Sequence, residues 1–217
     1  MRTTWMKNFV TSDHRLVGIV VAFLLMMAPP AIAGPITVTI QNLAPMNGNV
    51  LTPVFVGFHN GTFDIYNPGS PASPGLQSLA EDGLNVMIAG EFMSSGAGSV
   101  QGSIFGAAGP IAPGEIAART FTLDGSLPIS RFFSYATMVI PSNDAFIANG
   151  NPTAFRIFDN LGNFQGADFT VLGSQVLDAG TEVNTEIPAQ TAFFGQVAPN
   201  TGIDQNGVVG IHPGFLP

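Results

Sequence analysis

The chain has 217 residues, a formal net charge of −8, only 9% charged residues and no cysteine. The length suits one domain with a substantial core, the missing cysteines exclude a disulfide framework, a thiol nucleophile and zinc thiolates, and the acidic balance disfavours nucleic acid and anionic surfaces.

The first residues carry scattered positive charge (Arg2, Lys7, Arg15), followed by an apolar run over 16–28. That run falls short of the ~20 apolar residues a spanning helix needs and fits the apolar region of a secretory signal. Pro29 and Pro30 break it, and Ala31-Ile32-Ala33 supplies the small-x-small pattern of a cleavage site. The predicted organisation is a signal peptide over 1–33, cut after Ala33, and one domain over 34–217, secreted or periplasmic, with no membrane span after cleavage. An uncleaved anchor is the alternative, because Asp13 and His14 are unusual in such a leader. Beyond Ala33 the chain keeps three arginines and no lysine against 13 carboxylates.

Strand patterns dominate the chain beyond Ala33. In Ile36-Thr37-Val38-Thr39-Ile40 the apolar and polar residues alternate with the period of a half-buried strand. Runs rich in β-branched and aromatic residues lie at 51–59, 99–105, 116–123 and 131–140. Shorter ones lie at 154–158, 169–172, 191–194 and 208–211. Asn47-Gly48, Asn60-Gly61, Pro113-Gly114, Asp124-Gly125, Asn149-Gly150 and Asn206-Gly207 punctuate them as turns. One segment reads as a helix: Ser73 is an N-cap, Pro74 takes the first helical position, Leu76, Leu79 and Ala80 share a face, and Gly83 ends it. The expectation is an all-β antiparallel sandwich with one or two short helices.

Catalytic signatures are sparse. There is no G-x-S-x-G, no phosphate-binding G-x-x-x-x-G-K-[ST] and no H-E-x-x-H, and with no lysine after Ala33 Schiff-base chemistry is excluded. His59 and His212 are the two remaining histidines. With Asp64 they would form an acid–base or metal site only if their strand ends were neighbours. Oxygen chemistry is better supplied. Pro141-Ser142-Asn143-Asp144-Ala145-Phe146 turns abruptly from apolar to polar, and Asp178-Ala179-Gly180-Thr181-Glu182 sets two carboxylates four apart across a glycine. Calcium takes six to eight oxygen ligands, which such loops provide, whereas loops this poor in His and Cys suit zinc or copper badly. Spacing alone leaves ordinary solvated turns as the other reading.

The stretches YATMVIPSNDAFI and VLDAGTEVN resemble the spondin N-terminal domain family, and ITVTIQN, LTPVFVGFHNG, NTGIDQNGVV and HPGF resemble its secreted bacterial branch. The resemblance implies a C2-like β-sandwich with a calcium ion at one end, serving adhesion or recognition outside the cell without catalysis. It implies Asp144, Asp178 and Glu182 as side-chain ligands, with Glu182 standing where many animal members have aspartate. The chain departs from the animal pattern in having no cysteine and in Ala145, where an aromatic is usual. The partner implied is an extracellular protein or carbohydrate. The competing readings are an extracytoplasmic hydrolase using His59 or His212 with a carboxylate, and a metal-free structural exported domain.

Overall fold

A computed structural model describes residues 33–215. Residues 1–32 of the expected leader lie outside the described residues.

The described chain is an antiparallel β-sandwich with two helices on its outer side. A two-stranded sheet pairs β1 (Gly34–Gln41) with β5 (Ile116–Leu123) in register from Gly34↔Leu123 to Gln41↔Ile116. The large sheet runs β10 (Gly210–Ile211), β9 (Leu177–Asp178), β7 (Ala145–Ala148), β6 (Phe132–Ile140), β3 (Val54–His59), β4 (Val100–Ile104). Two short strands, β2 (Val50–Leu51) and β8 (Phe155–Arg156), pair with β6. The expected single strand over 51–59 is divided at Thr52-Pro53. Pro53 has no N–H for a ladder, and Thr52 Oγ1 accepts the Met138 N–H at 3.1 Å instead.

β3 is buried on both faces because the large sheet is the middle of three layers. Val54, Val56 and Phe58 face the two-stranded sheet, packing with Phe121, Leu123 and the inward residues Ile36, Val38 and Ile40 of β1. Phe55 faces the other way, toward Leu76, Leu79, Ile88 and Phe92 of the helices. Each of Phe55, Phe58 and Phe92, fully buried, contributes roughly 1.5–3 kcal/mol relative to exposure.

Helix α1 (Pro74–Asp82) starts and stops where its cap residues stand. Ser73 Oγ accepts the Leu76 N–H at 3.1 Å, and Gly83 adopts φ 67° while its N–H reaches the Leu79 carbonyl at 3.0 Å. The second helix, α2 (Val86–Ser95), has no side-chain cap bond at Asn85. Its Glu91 accepts the Gly75 N–H at 2.6 Å and the Ser73 hydroxyl at 2.8 Å, so α2 closes the N-terminus of α1. Its Phe92 lies where a Cβ on Gly57 would stand, 2.8 Å from the ring, so glycine on β3 is what admits the helix.

Candidate functional site

At its end β6 passes through the cis Ile140–Pro141 peptide into a turn at Ser142-Asn143-Asp144, then returns as β7. The Ser142 hydroxyl donates to the Val139 carbonyl and accepts the Ala145 N–H, closing the turn on itself. Asn143 holds the next layer of loop, accepting the Glu186 N–H and donating to the Gln190 carbonyl, each at 3.0 Å. The turn delivers Asp144 into the interior, where it is fully buried.

β9 lies beside β7 with Asp178 opposite Ala145, and this pairing brings the second acidic loop to the first. Asp178 Oδ1 accepts the Gly180 N–H at 2.6 Å and Oδ2 accepts the Asn184 amide. Gly180 takes φ 70°, and a Cβ there would stand 2.5 Å from the Val208 nitrogen, so the tight return is open to glycine alone. The return aims the Thr181 and Glu182 N–H groups at Asp144 Oδ2, at 2.8 and 3.1 Å, with the Thr181 hydroxyl adding a third bond at 3.2 Å. Asp144 Oδ1, by contrast, is buried with no hydrogen-bond partner among the described residues. Glu182 is also buried, its carboxylate accepting the Gly202 N–H at 3.0 Å. Glu81, which the sequence pattern does not single out, arrives buried from the last turn of α1 and is held by Gln77 at 2.9 Å.

Negative charge therefore accumulates out of water. Burial pushes the Asp144 carboxyl up to about 6, with the Asp178 charge adding to the effect and the three hydrogen bonds opposing it. Burial likewise pushes Glu182 up to about 7, reinforced by Glu81 and Asp144 against the Gly202 bond. Glu81 is raised by burial too. The arginines among the described residues stand elsewhere: Arg119 lies over the Phe121 ring and Arg156 over Phe132, while Arg131 precedes the opposite end of β6 from Asp144.

The structure thus brings Asp144, Asp178 and Glu182 to one end of the large sheet, as a chain of interacting charges centred on Asp144. Among the described residues no three His, Asp or Glu side chains converge as a ready-made metal cage. The donor set nonetheless fits a hard cation in kind. It is all oxygen, with Asn and Thr oxygens alongside the carboxylates, and Asp144 Oδ1 is a buried carboxylate oxygen with no partner among the described residues.

Among the described residues the histidines form no joint site. His59 Nδ1 accepts the Gly61 N–H at 3.0 Å, so the ring proton sits on Nε2 and is donated to Ser134 Oγ at 2.8 Å. Burial lowers its pKa to about 4. The ring is neutral at pH 7, shielded from solvent, and in the tautomer that gives a proton to the serine rather than taking one. Asp64 bonds within its own turn, to Ile65, Tyr66 and Asn67. His212 accepts the Gly214 N–H at 3.1 Å, packs on Phe215, and has Asp178 and Glu186 as its charged neighbours. The condition for a site of His59, Asp64 and His212 is not met among the described residues: each histidine is held by the backbone of its own turn.

No protein-family model matches the chain, and no curated protein matches it.

Proposed function

We propose that the domain acts outside the cytoplasm as a calcium-binding, non-enzymatic recognition and adhesion module of spondin type. The observation that carries this reading is the Asp144 carboxylate, buried among like charges with one oxygen saturated by N–H and O–H donors and the other without a partner among the described residues. A buried carboxylate oxygen without a donor costs folding free energy, and a cation that met it would remove that cost. Asp144, Asp178 and Glu182 would hold the ion, with Asn and Thr oxygens of the same loops completing the shell. The ion supplies positive charge that ties the turn after β6 to the loop after β9. Export is supported by the apolar run over 16–28 and the Ala31-Ile32-Ala33 pattern. No helix among the described residues is long and apolar enough to cross a membrane. The non-enzymatic part is supported by the neutral, backbone-tethered His59. The partner is an extracellular protein or a carbohydrate.

Isothermal titration of chelator-treated protein with calcium and with magnesium tests the reading. Saturable calcium binding with a stoichiometry near one, and weaker magnesium binding, is the expected result, since magnesium demands a tighter octahedron and keeps its water. Absence of calcium heat at millimolar concentration would leave a metal-free structural domain.

A further inference from the structure

A second feature adjoins the acidic loops. A cleft of about 430 Å³ opens between the start of α1 and the loop over 200–207, with Gln77, Thr181, Asn200, Asp204 and Asn206 among its walls and Pro71 at its rim. Its volume is within the ~300–1,000 Å³ range of small-molecule sites, but its lining is unlike theirs. No aromatic ring among the described residues lines it, and the polar side chains are amides, a hydroxyl and a carboxylate. Asn200, Asp204 and Asn206 are exposed, and no hydrogen bond among the described residues occupies their side chains. Gln77 donates its amide to Glu81, and no hydrogen bond among the described residues occupies its carbonyl oxygen. Asn200 and Asn206 both take left-handed backbone, φ 52° and 56°, a conformation Asn tolerates better than most residues.

The geometry points to this cleft as the binding site for a neutral, hydroxyl-rich ligand of the saccharide class. Amide groups offer both donors and acceptors, and a carboxylate offers acceptors only, the combination that pairs with adjacent sugar hydroxyls, which also donate and accept. Asp204 in the wall repels anionic ligands such as uronates and phosphates. The cleft also shares a wall with the acidic loops. Thr181, whose N–H and hydroxyl hold Asp144, lines it, and the 200–207 loop is bonded to the same turn through Gln205 N–H to Thr181 O at 2.8 Å and Gly207 N–H to Gly180 O at 2.7 Å. A cation that fixes the turn therefore fixes the cleft; this coupling, unlike the cleft itself, rests on the calcium reading.

Saturation-transfer NMR of the exported domain with millimolar maltose, cellobiose and chitobiose, and with glucuronate as the charged comparison, tests it. The runs are made in calcium and again in chelator. The expected result is transfer to at least one neutral disaccharide and none to glucuronate. Binding should weaken about tenfold when Asn200→Gly and Asn206→Gly are combined, changes that keep the left-handed backbone and remove two amide partners. Should that pair fail to fold, Asp204→Ala is read in its place. No transfer to any neutral disaccharide in either condition overturns the proposal, as does transfer that the variants leave unchanged. Binding of glucuronate or of a lysine-rich peptide in place of neutral sugars also overturns it. Equal saccharide binding in calcium and in chelator upholds the cleft and removes only the coupling, and the calcium titration separately decides the metal reading.

Discussion

Asp144 and Thr181, 37 positions apart in sequence, are joined by two hydrogen bonds to one carboxylate oxygen, from the Thr181 N–H at 2.8 Å and its hydroxyl at 3.2 Å. The pair fastens the turn after β6 to the loop after β9. The second Asp144 oxygen has no hydrogen-bond partner among the described residues, so the structural clasp and the candidate ligand are the same side chain.

The clasp depends on Gly180. Replacing it by alanine adds left-handed strain of about 1–2 kcal/mol and drives a Cβ to 2.5 Å from the Val208 nitrogen. Gly114 has φ 81° with open space around it, so Gly114→Ala carries the strain alone. Urea unfolding should show Gly180→Ala less stable than Gly114→Ala by at least ~1 kcal/mol. Equal losses would mean that the loop relaxes freely around position 180.

His59 gives a pH dependence of known sign. Its folded pKa of about 4 lies below the ordinary 6.5, so between these values the unfolded chain binds more protons and stability falls as the solution is acidified. The contribution is fully present above pH 6.5 and is lost toward pH 4, amounting to roughly 2–3 kcal/mol. Asp144 and Glu182, raised to about 6 and 7, act oppositely, favouring the metal-free fold at lower pH and withdrawing that support as pH rises through their folded values. Comparing wild type with His59→Gln at pH 7.5, 5.5 and 4.5 isolates the histidine. The variant should lose less stability on acidification, and parallel losses would contradict the assignment of a buried neutral ring.

Val139 is 4% exposed on β6, opposite Leu51 of β2. Val139→Asp places an unpaired carboxylate there at a cost of several kcal/mol, against a typical domain stability of about 5–15 kcal/mol. Far-UV circular dichroism should show an unfolded or grossly destabilised variant. A native, fully cooperative melt would place Val139 outside the core.

Local chemistry explains what the sequence makes legible. Ser73, Pro74 and Gly83 mark α1 because capping is decided within a few residues, and Ile116–Leu123 reads as a strand because alternation survives in a strand with one face exposed. The second helix is not legible. It has no side-chain cap bond, carries Gly90, and is set by Phe92 packing over Gly57, a contact made 35 residues away. The expected strands at 169–172 and 191–194 are not formed as strands. Phe169 instead stacks on Phe155 at 3.9 Å, and in the second run Ala192 makes an isolated bridge to Ser142 before Phe193 turns left-handed at φ 59°. At the site, the two acidic turns are visible in the sequence, but their pairing is not: it is made by β9 lying beside β7, with Asp178 opposite Ala145, and only the family resemblance implied it. Glu81 is not legible in the sequence, because an acidic residue in a helix is ordinarily solvated, whereas here it is buried with its charge acting on Glu182.

The most direct measurement is the thermal unfolding of chelator-treated protein with and without calcium, for wild type, Asp144→Asn and Asp168→Asn. Asp168 is an exposed carboxylate outside the 142–146 and 178–184 segments. Because the cation binds the folded state, wild type and Asp168→Asn should gain about 2.7 kcal/mol at a hundredfold excess of calcium over Kd. Asp144→Asn should gain far less, while its metal-free form melts at or above wild type through relief of repulsion. A melting curve that calcium leaves unmoved, or an Asp144→Asn response equal to that of Asp168→Asn, would contradict the calcium site.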